Sequence, residues 1–353
     1  MALDYSKYRV PQCKVIVENS ELKSSAYNIE QVNVQLSADT KSNSADVTIV
    51  AKYDVERSLI GGELLSKLSA GKKVKIEMGY MLTSVVFLGY VNTVETSFSE
   101  GGVTVTFSCL DARGLLMGNS TWETYKTENV QQIVTKMLNS LSSYTDSITV
   151  QVEGEVDKEQ PESQNELDDF KYLCYLAKIT NSSFYMTATD LKFVKNGFEK
   201  FSVVEKYKWG EDIISFNRKV ELSEQVGTVK VTGISPDTAE EFEATVKASA
   251  NDGKTAGQLN SAVGKKELTV NSLTVKNQQE ALAYARAIMF ESAMKLSTGT
   301  AQVLGNEKLV VGKGVSFGGL DPNINGNYLI TSLNHSFGPG GFLTTIGFAS
   351  SGA

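Results

Sequence analysis

Apolar and polar residues alternate with a period of two along most of the first ~115 residues, the spacing that turns one face of a strand toward a core and the other toward water. Val32, Val34 and Leu36 alternate with Asn33 and Gln35, and Ala45, Val47 and Ile49 follow a polar tract, Asp39 to Ser44, that reads as a turn. Val74, Ile76 and Met78 interleave with Lys73, Lys75 and Glu77, and Val103, Val105, Phe107 and Cys109 with Thr104, Thr106 and Ser108. Val15-Ile16-Val17 is a short apolar run. Many half-buried strands in one segment predict a barrel or sandwich, because a closed sheet covers one face and removes its edges. Leu59, Ile60, Leu64, Leu65 and Leu68 fit one short helix interrupted by Gly61-Gly62.

The period then changes. Val130, Ile133, Val134, Met137, Leu138 and Leu141 follow helical spacing, with Thr127 as the expected N-cap. The acidic stretch 153–162 carries Glu153, Glu155, Asp157, Glu159 and Glu162 against Lys158. It reads as a solvated loop, since it lacks the pattern of alternating Asp/Asn with a central glycine that a calcium loop has. Ser163 and Glu166 form a capping-box pattern ahead of Leu167, Phe170, Leu173, Cys174 and Ala177, and Asn181-Ser182-Ser183 ends that helix. Phe184-Tyr185-Met186 and Leu191 to Val194 read as a hairpin joined through Thr189-Asp190. Strands resume at Ile213–Phe216 and Val229–Val231, and a polar, glycine-rich excursion spans 248–264. Asn277 and Glu280 then cap a helix carrying Ala281, Leu282, Ala285, Ile288 and Met289, and the last ~50 residues return to strands and glycine turns.

The chain also repeats itself. Val94, Phe98, Gly101, Gly102 and Val103 recur at identical spacing as Leu333, Phe337, Gly340, Gly341 and Phe342. Gly89-Tyr90 precedes the first set and Gly326-Asn327-Tyr328 the second, and Gly71 to Ile76 recurs as Gly312 to Phe317. This pattern predicts two related barrels, the second interrupted by an inserted segment.

Composition narrows the chemistry. The 353 residues suffice for two or three domains, and 41% hydrophobic with 21% charged residues is ordinary for globular protein. Five prolines exclude a proline-rich linker, and a net charge of −7 argues against general binding to nucleic acid or anionic lipid. The single histidine, His335, precludes a two-histidine metal site within one chain. It lies in a strand-like run with no nucleophile or acid placed beside it, and reads as a structural residue. Cys13, Cys109 and Cys174 are widely spaced and read as small core residues in a reducing cell. Lys72-Lys73 and Lys265-Lys266 read as solvated pairs, Gly338 to Gly341 as a turn rather than a phosphate loop, and Tyr172, Tyr175, Phe184 and Tyr185 as packing. No catalytic, cofactor-binding or metal residue is assigned, and the expectation is a protein that is not an enzyme and needs no cofactor. No secretory signal or apolar membrane span is recognisable, so synthesis in the cytoplasm is expected.

Taken in order, these segments resemble the phage late-control protein D family, the central hub of contractile tails, and the related N-terminal hub part of VgrG-like spike proteins. The carriers are Gly71 to Tyr80 followed by Phe87-Leu88-Gly89-Tyr90-Val91, Leu110-Asp111-Ala112, the helix from Gln164 to Ala177, Trp209-Gly210-Glu211-Asp212, Gln225 to Val229, Gly326-Asn327-Tyr328 and His335-Ser336-Phe337. Leu167 stands where the family commonly has serine. The resemblance implies a mainly β (α+β) fold: two antiparallel tube-like β-barrel domains with an inserted small α/β domain and a helical excursion, assembled as a trimeric hub. The expected division is 1–118 for the first barrel, 119–203 for the α/β insertion, 204–243 and 300–353 for the second barrel, and 244–299 for the excursion.

The same resemblance implies a homotrimer that adapts a six-fold tail tube to a three-fold spike in the baseplate of a phage, a phage-tail-like bacteriocin or another contractile injection system. Its expected partners are further copies of itself, the tail tube protein, a separate spike protein, other baseplate proteins and a tape measure. Neither specific nucleic-acid binding nor direct membrane insertion is expected. Two alternatives stand beside it: from another class, a carbohydrate- or cell-wall-binding module on a β scaffold, and within the same class, another baseplate adaptor.

Overall fold

A computed structural model describes residues 10–38, 41–100, 102–119, 124–125, 128–152, 162–164, 167–196, 201–272 and 275–353. The first part of the chain forms β1 (Gln12–Val17), β2 (Ser20–Glu21), β3 (Tyr27–Ser37), β4 (Ser44–Ala51), β5 (Tyr53–Asp54), β6 (Leu59–Ile60), α1 (Leu64–Lys67), β7 (Lys73–Gly79), β8 (Thr83–Ser99) and β9 (Gly102–Leu110). The middle forms β10 (Thr124–Tyr125), α2 (Val130–Asn139), β11 (Ser147–Val150), β12 (Glu162–Ser163), α3 (Asp169–Ile179), β13 (Ser182–Met186) and β14 (Asp190–Lys195). The remainder forms β15 (Val203–Lys208), β16 (Ile213–Val220), β17 (Thr228–Ile234), β18 (Glu241–Lys247), α4 (Ala256–Leu259), α5 (Ser261–Gly264), β19 (Glu267–Asn271), α6 (Gln278–Met294), β20 (Ser297–Leu304), β21 (Gly314–Gly318), β22 (Gly326–Gly338) and β23 (Gly341–Ser350).

The protein is mainly β. Among the described residues thirteen strands make one sheet in the order β16-β20-β23-β22-β3-β4-β9-β8-β7-β1-β2, with β21 and β15 extending from β22. The alternating apolar positions form its core: Val32, Val34, Ala45, Val47, Ile49, Ile76, Val105, Phe107 and Cys109 are fully buried. Each Val or Ile so buried stabilises the fold by about 1.5–3 kcal/mol, which is why the alternation fixes which face turns inward.

The internal repeat extends from sequence to strand order and register. The strands β1, β3, β4, β7, β8 and β9 of the first half correspond in turn to β15, β16, β20, β21, β22 and β23 of the second, and both sets have the same neighbours. Bulges interrupt β3–β4 between Ile29 and Gln31, and β16–β20 between Ile213 and Ser215. They interrupt β8–β9 between Val91 and Thr93, and β22–β23 between Ile330 and Ser332. Phe98 opposes Val103 as Phe337 opposes Phe342. At Gly71 (φ 86°) and Gly312 (φ 78°) the backbone adopts a conformation that favours glycine, and their N–H groups donate to Val91 O (2.7 Å) and Ile330 O (2.9 Å) respectively. The halves differ in their first strand: β1 runs antiparallel to β7, whereas β15 runs parallel to β21.

The long strand β22 joins the halves. It pairs with β21 over Gly326–Leu329 and, past its bulge, with β3 over Ser332–Phe337. One hydrophobic core therefore runs through both sets of strands. The sheet curls until Tyr80, after β7, donates its hydroxyl to Phe342 O on β23 (3.2 Å).

Two smaller units attach to this sheet. Helices α2 and α3 share a core with the three-stranded sheet β11-β14-β13, and the expected hairpin is β13–β14. Strands β17, β18 and β19 form a second three-stranded sheet whose core includes Ala281, Ala285 and Met289 of α6. The alternation in Thr228–Ile234 thus marks a strand of this separate sheet, because its buried residues Val229 and Val231 are covered by α6.

Three local expectations are corrected and a fourth is met. Leu59 and Ile60 lie in β6, not a helix, because Gly61, Gly62 and Glu63 all take positive φ and delay α1 to Leu64. The N-cap of α2 is Asn129, whose side chain accepts from Gln132 N in a reciprocal capping box, rather than Thr127, which lies outside the described residues. Ser163 pairs in β12, and α3 is capped by Asp168, whose carboxylate accepts from Lys171 N (2.8 Å). Glu166, the other half of the expected box, lies outside the described residues. The expected cap of α6 forms at Asn277, which accepts from Glu280 N (2.9 Å).

Candidate functional site

The titratable and nucleophilic residues are set by strand alternation. His335 falls on the core-facing side of β22 and is 1% exposed. Its Nδ1 lies 2.9 Å from Thr344 Oγ1 across the β22–β23 ladder, and the same hydroxyl oxygen accepts from Asn306 N (3.1 Å). Burial pulls the imidazole from its ordinary 6.5 down to about 4, so it is neutral at physiological pH. All three cysteines are free. Burial raises the thiol of Cys13 to about 12 and that of Cys174 to about 11, and raises that of Cys109 as well, so the reactive thiolate is disfavoured at each. Among the described residues no group of three or more His, Cys, Asp or Glu side chains is placed to hold a metal ion. The acidic stretch lies, apart from Glu162 at its end, outside the described residues.

The most concentrated polar chemistry sits where the large sheet meets the α/β unit. Asp111 ends β9 and caps a short 3-10 helix, Ala112–Leu116, accepting from Arg113 N at 2.9 Å. The Arg113 guanidinium turns back onto the same carboxylate, with Nε and Nη2 each 3.0 Å from Asp111 Oδ2, and the two side chains are 0% and 1% exposed. Nη2 also donates to Asn43 Oδ1 (3.0 Å), and Asn43 Nδ2 donates to Met186 O (2.8 Å) in β13. Ser42 Oγ and Asn43 N donate to the remaining acceptor sites of Asp111 at 2.6 and 2.9 Å. A buried ion pair is tolerable only when its remaining donors and acceptors are satisfied, and here backbone and amide groups from three segments do so. The cluster is a clamp between units. In the sequence Asp111 stands out only within the Leu110-Asp111-Ala112 segment; the Asp-x-Arg spacing after a strand is the available signal for Arg113, while Asn43 has none.

A second contact lies nearby. Lys73 places its ammonium 4.9 Å from the Tyr144 ring centroid and donates to Ser143 O (2.9 Å), and Tyr90 meets Tyr144 edge-on at 6.2 Å. One lysine of the pair read as solvated therefore helps seat the α/β unit on the sheet. The four aromatics read as packing do pack: Tyr172, Phe184 and Tyr185 are buried, and Tyr175 stacks on Tyr172.

The glycine motifs mark close backbone approach. A Cβ on Gly79 would lie 2.1 Å from Leu82 O, and one on Gly89 would lie 2.2 Å from Leu110 O. Both positions allow neighbouring backbone to pass where a side chain would block it.

Among the described residues several strands pair on one side only, and two such stretches of the large sheet, in β8 and β16, carry exposed apolar residues. Strand β8 pairs with β7 only as far as Tyr90, so Asn92–Ser99 has β9 on one side and no strand on the other. Val94 and Phe98 lie in this stretch, 36% and 61% exposed, and Tyr53 meets Phe98 edge-on at 5.4 Å. Strand β16 pairs with β20 alone, leaving its other edge bare and Val220 exposed. No helix among the described residues is long and apolar enough to cross a membrane.

Comparison with known structures gives a consistent fold. The chain is similar to the 43 kDa tail protein of prophage MuSo2 from Shewanella oneidensis, with a TM-score of 0.72 and 15% identity over 96% of this chain and 98% of that one. It is similar to a tail protein from Neisseria meningitidis MC58, with a TM-score of 0.68 and 13% identity over 96% of each chain. It is also similar to the E. coli c3393 protein, described as a component of the type VI secretion system with structural similarity to T4 tail proteins gp27 and gp5; here the TM-score is 0.58, with 12% identity over 95% of this chain and 76% of that one. No curated protein matches the sequence. The sequence model of one family, described as the Alg8 N-terminal domain, matches residues 7–338.

Proposed function

The chain belongs to the Alg8 N-terminal domain family and has the fold of prophage tail proteins; from these premises we propose that it is a structural hub in the baseplate of a contractile tail or tail-like injection particle. It acts as a homotrimeric adaptor between a six-fold tail tube and a three-fold spike. The late-control protein D resemblance belongs to the same reading.

The observation that carries the proposal is the repeat of strand order and bulge position within one chain. A cyclic trimer of a chain with two like halves offers six like units to a six-fold partner and keeps three-fold symmetry for the other. The work is mechanical, and no catalytic residue or cofactor enters it. The buried Asp111–Arg113–Asn43 clamp suits a part that transmits load, because it ties the α/β unit to the sheet through groups that cannot slide without breaking a buried pair. The partners on this reading are the tube protein, a separate spike protein, neighbouring baseplate proteins and a tape measure. The chain is made in the bacterial cytoplasm and assembled into the tail.

The test is the native mass by light scattering across a concentration series. The expected value is three times 38.3 kDa. A strict monomer at every concentration would overturn a hub that trimerises by itself.

A further inference from the structure

The open edges of β8 and β16 are related by the internal repeat, and the repeat supplies their partners. In the second half, the stretch of β22 past its bulge is covered by β3 of the first half, with Phe337 opposite Val32, Asn334 opposite Gln35 and Leu333 opposite Leu36. The equivalent stretch of β8 past its own bulge, Thr93–Phe98, has no such cover among the described residues. The strand equivalent to β3 is β16, and past the bridge at Ile213 no strand among the described residues pairs with its outer edge. Within one chain the two edges lie at different places in the sheet, so the strand that completes the repeat must come from another copy.

We propose that the open edge of β8 pairs antiparallel with the open edge of β16 from a second copy of this chain, in the register that β22 and β3 use within the chain. The inference rests on the trimeric reading above and names its interface. Transferring the register through the matched bulges sets Phe98 opposite Phe216, Glu95 opposite Lys219 and Val94 opposite Val220. The chemistry of all three rows fits. Phe meets Phe and Val meets Val, and a carboxylate faces an ammonium on the opposite face of the strands.

The faces also agree. Val94 and Phe98 oppose the buried Phe107 and Val103 of β9, while Phe216 and Val220 oppose the buried Ala301 and Ser297 of β20, so all four belong to the core-facing side. A slip of one residue in either direction would set Phe98 against Ser215 or Asn217 and Val94 against Lys219 or Glu221, apolar against polar. The pairing would cover Val94, Phe98 and Val220, which the single chain leaves 36%, 61% and 43% exposed. It would also remove two bare edges of the kind that otherwise template aggregation. Because each copy presents one edge of each kind, the contact is head-to-tail, and a ring is its closed form.

The test is disulfide trapping of the full chain. Val94→Cys with Val220→Cys, and separately Glu95→Cys with Lys219→Cys, should give a covalent trimer on a non-reducing gel. Adjacent rows of an antiparallel ladder alternate between narrow and wide, so at least one of the two pairs falls in a narrow row. The slipped pair Glu95→Cys with Val220→Cys, and the native chain with its three cysteines, should give none.

Glu95→Lys should weaken the trimer about tenfold by opposing like charges, and adding Lys219→Glu should restore it. A particle of three times 38.3 kDa that yields no covalent species from either matched pair overturns this interface and leaves the hub reading intact. Equal trapping by the slipped pair overturns the register. A monomer that traps nothing overturns the interface and the self-assembling hub together.

Discussion

Acidification should weaken the fold through His335 before the carboxylates dominate. The perturbation is proton uptake by an imidazole that is fully shut off from water and held to about 4 by burial, against 6.5 when exposed. Since the folded value is the lower one, the unfolded chain binds the proton first as pH falls. The contribution to stability is therefore complete above pH 6.5 and is lost progressively as pH falls toward 4. The gap amounts to about 3 kcal/mol at full protonation, and to about 2.5 kcal/mol at pH 4.5.

The assay is urea unfolding of the native chain and of His335→Gln at pH 7.5 and pH 4.5. The Gln variant keeps a polar group near Thr344 Oγ1 but cannot titrate, so carboxylates common to both proteins cancel in the comparison. The native chain should lose about 2.5 kcal/mol more than the variant over this range. Parallel losses would refute the reasoning, because they would mean that the imidazole gains water or a counter-charge in the folded state.

Other positions test other links. Asp111→Ala strands the guanidinium of Arg113 at 0% exposure and should cost about 3–5 kcal/mol in urea unfolding, with Asp111→Asn less severe because it keeps an acceptor. Gly89→Ala should lower the melting temperature through a clash with Leu110 O costing about 1–3 kcal/mol. Gly71→Ala has open space around its Cβ and should cost only the roughly 1–2 kcal/mol of a positive φ. The buried Cys109 should resist a thiol reagent at pH 8 in the folded chain and react once urea unfolds it.

Strand identity and inward face were legible because a period of two is a local property. Val32 to Leu36 and Val103 to Cys109 need no distant partner to declare which side is apolar, and the structure buries those residues as the alternation requires. The helix α6 was legible for the same reason, since Asn277 and Glu280 satisfy each other across three residues. Glycine motifs were visible, but their cause was not: Gly89 is small because Leu110 passes beside it, a contact between strands. The short helix expected around Leu59 failed because its apolar spacing competed with three consecutive positive-φ residues, and backbone conformation won.

By itself, then, the amino-acid order determined the mainly β character, the alternating faces, the cap of α6 and the existence of a repeat, all of which depend on local patterns along the chain. Only tertiary structure decided that β22 turns from β21 to β3 and so fuses the two halves into one sheet. It likewise decided that Asn43, Asp111 and Arg113 converge on β13, and that one edge of β8 and one of β16 stay bare. Those outcomes depend on pairings between residues far apart in sequence, where loop closure and the satisfaction of buried polar groups select among alternatives that local patterns leave equal.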